Sequence, residues 1–106
     1  MGEGRLGKWT CVYCGDTVIE GQRFFFIPGK GFAHVECVYE RLKSLDRDTV
    51  ALMDVNEVLA YAIVRLKEAA RIAESEDVKG EIDSARKKIE GLAARLEKLL
   101  ADKHGL

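Results

Sequence analysis

Four residues constrain this chain more than any other feature: Cys11, Cys14, His34 and Cys37, spaced C-x2-C-x19-H-x2-C. Two residues between the first cysteines allow a tight knuckle that turns both sulfurs toward one point, and Gly15 can take the positive φ that ends it. His34 and Cys37, three apart, fall on one side of a helix's first turn. The nineteen residues between the pairs are enough for a β-hairpin that brings the pairs together. All three cysteines and one of the two histidines join the pattern. A closed structural zinc site, one ion per chain, is therefore expected over a chance scatter of thiols with Cys37 as a core residue.

The rest of the chain supports that reading. Three cysteines is an odd number, which a disulfide framework would leave incomplete. The opening Met1-Gly2-Glu3-Gly4-Arg5 lacks the basic-then-apolar layout of an export signal, and no apolar stretch is long enough to cross a membrane. A reducing, cytoplasmic setting is expected, where cysteines serve more often as ligands than as disulfides. A module of about 45 residues also buries too little apolar surface to fold without such a staple.

Composition divides the chain near Asp46. Residues 1–45 hold seven of the ten glycines, the only proline and tryptophan, and all phenylalanines and cysteines. The remainder is written almost wholly in Ala, Leu, Ile, Val and charged residues. The expected fold is α+β, with two domains. Residues 1–46 form a treble-clef zinc module of knuckle, β-hairpin and helix. Residues 47–106 form an antiparallel two-helix hairpin.

In the first half, residues 22–27 read as a strand stopped by Pro28. Gly29-Lys30-Gly31 supplies the turn and Phe32-Ala33 starts the return strand. A helix is expected over 35–45. In the second half, Asp54 and Glu57 fit a capping box, and helices are expected over about 54–74 and 77–103, broken near Ser75 to Asp77. Their apolar seams run Val55, Leu59, Ala62, Leu66, Ala69, Ala73 and Val78, Ile82, Ala85, Ile89, Leu92, Leu96, Leu99. His104 is expected as a charged residue favouring the helix C-terminus.

The residues Cys11-Val-Tyr-Cys14-Gly15, with Ile19, Gly21, Phe32, His34 and Cys37, resemble the first zinc half of a LIM domain. That likeness covers residues 9–40, and the second zinc set of a LIM domain is missing. The pattern is similar too to the zinc finger of poly(ADP-ribose) polymerases, whose spacer is longer. A zinc module followed by a helical hairpin resembles a family of small uncharacterised archaeal proteins. These resemblances imply ligand roles for Cys11, Cys14, His34 and Cys37. An archaeal, thermophilic source agrees with the scarcity of side-chain amides, Gln22 and Asn56 alone.

An enzyme is not expected. His34-Val35-Glu36 and Cys11-x-x-Cys14 mimic the motifs of zinc deaminases in reversed order. Cys37, however, fills the coordination position that a reactive water needs. Two kinds of docking remain. The run from Val58 to Val64 is apolar on all sides, wider than a hairpin seam requires. Val58, Tyr61 and Val64 are candidates for a surface covered by a protein partner or a second copy. Cover by the chain's own zinc module is the favoured alternative, and a short strand is another reading of the run. The second kind is nucleic-acid or ribosome binding through Arg5, Lys8, Trp9, Arg23 and Lys30, basic residues interleaved with an aromatic. A net charge of -1 gives no overall polycationic footprint.

Overall fold

The computed structural model describes residues 7–106. Its order is β1 (Lys8–Thr10), β2 (Thr17–Ile19), β3 (Phe24–Ile27), β4 (Gly31–His34), α1 (Val35–Tyr39), α2 (Arg47–Ile72) and α3 (Glu76–His104). The fold is α+β: two antiparallel β-hairpins and a short helix, followed by two long helices packed together.

The β1–β2 hairpin, with Trp9 opposite Val18, encloses the knuckle and was not foreseen from the sequence. Its β-branched run Thr17-Val18-Ile19 was the available signal. The β3–β4 hairpin pairs Phe24 with His34 and Ile27 with Gly31, around a turn in which Gly29 has φ 82°. Helix α1 is shorter than the expected 35–45. Beyond Tyr39 the chain tightens into turns, with Arg41 N–H donating to the Val38 carbonyl and Leu42 N–H to that of Tyr39. Lys43 N–H then leaves the helical path altogether and donates to His104 Nδ1 at 2.9 Å.

The first long helix starts at Arg47, not near Asp54. Asp46 is the N-cap, its carboxylate accepting from Thr49 N–H at 3.2 Å. Residues 47–53 are helical because Thr49 and Met53 are buried there, which outweighs the local capping signal of exposed Asp54. The break falls where the sequence placed it. Ser75 caps α3, accepting from Val78 N–H, and Gly105 closes it at φ 67°.

The core joins both halves. Fully buried Val18, Phe25, Ile27 and Val38 cluster with Met53 of α2 and Leu100 of α3. Burial of each such side chain contributes about 1.5–3 kcal/mol. The helices also close the free edge of β3: Asn56 Nδ2 donates to the Phe24 carbonyl at 3.1 Å, and Glu97 accepts from Phe26 N–H at 2.9 Å. An edge strand left bare would expose those groups.

The α3 seam drifts from its heptad reading. Ile82, Ala85 and Ile89 are at least half-buried, but Leu92 and Leu99 are 37% and 58% exposed while Ala93 and Leu100 are buried. A straight helix turns every 3.6 residues, so a strict seven-residue repeat walks off its face by about 20° per heptad. Val55 of the α2 seam is likewise exposed; Leu59 of that seam is buried, but so are Met53, Asn56, Ile63 and Ala70, which lie off it. His104 also differs from expectation. It is 4% exposed, its Nδ1 accepts from Lys43, and its Nε2 lies 2.7 Å from Thr49 Oγ1. An imidazole that accepts at Nδ1 is neutral, so it acts as a polar clasp between the ends of α2 and α3, not as a charge on the dipole.

Candidate metal centre

The first two cysteines sit on the turn between β1 and β2. Cys11 N–H donates to the Asp16 carbonyl at 2.8 Å, and Gly15 N–H donates to that of Cys11 at 3.0 Å. Gly15 adopts φ 83°, a conformation that a side chain would strain. The turn aims two amides at one sulfur: Tyr13 and Cys14 N–H approach Cys11 Sγ at 3.4 and 3.5 Å. The second pair comes from the other hairpin. His34 ends β4 and is the N-cap of α1, and Cys37 lies in that helix's first turn. Val12 N–H donates to the Phe32 carbonyl at 2.9 Å, fixing the knuckle against β4. Arg41 fastens the same corner, donating to the Cys37 carbonyl at 3.0 Å while its guanidinium lies 4.0 Å from the centre of the Tyr13 ring.

Together these elements bring the donor atoms of Cys11, Cys14, His34 and Cys37 within 4.8 Å of one another. His34 Nδ1 lies 3.4 Å from Cys14 Sγ and 3.7 Å from Cys37 Sγ. A tetrahedral zinc site, with bonds of about 2.3 Å to sulfur and 2.0 Å to nitrogen, has sulfur–nitrogen edges of about 3.5 Å. The spacing therefore fits an ion of that size. His34 Nε2 donates to the Thr17 carbonyl at 3.0 Å, which fixes the ring's plane and leaves Nδ1 facing the sulfurs, free to serve a metal.

The electrostatics fit a cation as well. Burial opposes ionisation of Cys11, but backbone hydrogen bonds from Cys14, His34 and Tyr13 outweigh it and bring the thiol down to about 6. Burial, then the nearby Cys11 and Cys14, push Cys37 up to about 12. The hydrogen bond to Thr17 raises His34 above the ordinary histidine range. A divalent cation at the centre of the cluster would favour the ionised form of the sulfurs around it. Cys11 is 2% exposed and Cys14 opens to solvent, so the centre lies at the molecular surface.

The other candidate residues are scattered. Val58 and Tyr61 are 64% and 66% exposed, whereas Val64 is half-buried in a groove of about 380 Å³ against Phe24 and Val35. Trp9 stacks on Phe32, the ring centres 3.6 Å apart and the planes 12° from parallel. Arg23 pairs with Glu36 and Glu57 at 3.3 and 2.8 Å. Lys8 and Lys30 are exposed, and Arg5 lies outside the described residues. Sequence reasoning missed a set of buried polar groups between the halves: Glu20, Asn56 and Glu97, with Lys67. Their signal was faint. Asn56 and Glu97 each interrupt an apolar helix face, next to Met53 and Ala93.

Fold and site define a small α+β protein whose Cys3His cluster is compatible with one zinc ion. Residues 7–102 match the model of a family described as an uncharacterized protein conserved in archaea (DUF2175), and the chain belongs to that family. No curated protein and no solved structure shows a match.

Proposed function

We propose that this is a non-catalytic zinc protein of the cytoplasm, in which the ion holds the hairpins and α1 as a treble-clef module. The assembled surface then serves as an adaptor for a protein partner or a second copy. The observation that carries the reading is the complete donor set. Three sulfurs and one imidazole nitrogen meet around one point, and a four-ligand site leaves no position for a substrate or a reactive water. No described helix is long and apolar enough to cross a membrane.

Support for docking on protein comes from the apolar side chains that the helices turn outward. Val58 and Tyr61 on α2, and Leu99 on α3, are each more than half exposed. Nucleic-acid binding is the second reading, and it is weaker because the Trp9 face is stacked on Phe32 and Arg23 is engaged with two carboxylates. Fluorescence anisotropy with mixed-sequence single- and double-stranded oligonucleotides, run from low to high salt, separates the two. The adaptor reading expects no saturable binding. Tight binding that weakens steeply with salt would transfer the assignment to nucleic acid.

A further inference from the structure

We propose that the cavity between the aromatic cluster of the hairpins and the helical pair is a receptor for a small organic cation, whose ammonium head pairs with Glu97. The cavity measures about 280 Å³, close to the lower end of ordinary ligand sites, so its occupant is small. Trp9, Phe24, Phe26 and Phe32 wall one side. Their rings form a continuous cluster, with Phe24 and Phe26 centres 5.9 and 5.0 Å from that of Phe32. Aromatic walls attract cations through the negative ring face, and an alkyl stem gains from the same apolar surface.

The opposite wall carries the anion. Glu97 is 6% exposed and accepts from Phe26 N–H, and among the described residues it pairs with no cation. The other charged groups at the cavity are balanced. Glu20 holds Lys67 at 2.6 Å, and Glu90 holds Arg86 at 3.1 Å. A buried carboxylate with one amide donor is costly unless a positive group joins it. Burial pushes the Glu97 carboxyl up to about 7, so near neutrality it stands ready to ionise when a cation arrives.

The test uses the full, zinc-loaded chain. Its single tryptophan, Trp9, reports on the cavity wall. n-Butylammonium chloride, n-butanol and potassium chloride are titrated in parallel at pH 6 and pH 8. Saturable binding of n-butylammonium is expected at pH 8, weaker by about tenfold at pH 6, as the ionised fraction of a group near 7 requires. n-Butanol should bind at least about tenfold more weakly than the ammonium ion. Glu97→Gln keeps an acceptor for Phe26 N–H but should lose the preference for the cation. Ala94→Leu, on the exposed rim, should block access without touching the carboxylate. Equal binding of ammonium and alcohol, pH-independent binding, or full binding by either variant would overturn the proposal. Nα-acetyl-lysine N-methylamide gives the source. Tighter binding than n-butylammonium assigns a lysine side chain of another chain, and weaker binding assigns a free amine.

Discussion

Replacing Glu97 with Gln should make the protein more stable at alkaline pH and leave it unchanged in acid. Burial moves the Glu97 carboxyl from 4.5 to about 7, against the opposing hydrogen bond from Phe26 N–H. In the unfolded chain the group ionises near its ordinary value, so between these limits the folded state holds a proton that the unfolded state has released. Stability contributed by the protonated group is complete below about pH 4.5 and is lost as pH rises through 7. The shift corresponds to about 3 kcal/mol when both states are compared above pH 7. Gln is neutral throughout and retains an oxygen for Phe26 N–H. The stability difference between variant and parent should therefore grow by about 3 kcal/mol from pH 4.5 to pH 8. Guanidinium unfolding of both proteins across that range measures it, and acid effects on the Cys3His cluster cancel in the difference. A difference that stays flat, or that favours the parent at pH 8, would refute a neutral buried Glu97.

Two further substitutions test the packing. Leu100→Ala empties a fully buried site at the junction of α3 and the hairpins, and should cost about 2–5 kcal/mol. Trp9 fluorescence and helical circular dichroism should then fall together, whereas separate transitions would show that the two halves unfold independently. His104→Ala strips partners from Lys43 N–H and Thr49 Oγ1 and should lower stability by about 1–3 kcal/mol, read from the denaturant midpoint. A neutral result there would mean that water replaces the imidazole.

The clustering of Cys11, Cys14, His34 and Cys37 was legible because metal-binding chemistry imposes spacing. Two cysteines with two residues between them, and a histidine three before a third cysteine, are the spacing that a tetrahedral metal site asks for. The α+β architecture and the break at Ser75 were legible for a similar reason, since local rules and tertiary packing agreed there. They parted elsewhere. Asp54 and Glu57 look like a helix start, yet burial of Thr49 and Met53 extends α2 back to Asp46. The heptad reading of α3 held from Ile82 to Ile89 but not at Val78, and it failed again at Leu92 and Leu99, where the last turns face β3 as well as α2. His104 read as a terminal charge because nothing local reveals Lys43 N–H, sixty-one residues earlier, as its donor. The buried polar set was hidden most deeply. A glutamate within a charged helix reads as solvated, and only the free edge of β3 gives Glu97 a reason to turn inward.

Metal content of the purified chain decides whether the Cys3His cluster is what it is taken to be. Elemental analysis after expression in unsupplemented medium, with protein quantified by amino-acid analysis, should return one zinc per chain. Cys14→Ala should lower that figure sharply, since three donors hold zinc poorly. Iron in place of zinc, or a fully folded chain carrying less than about half an equivalent of zinc, would contradict a structural zinc centre.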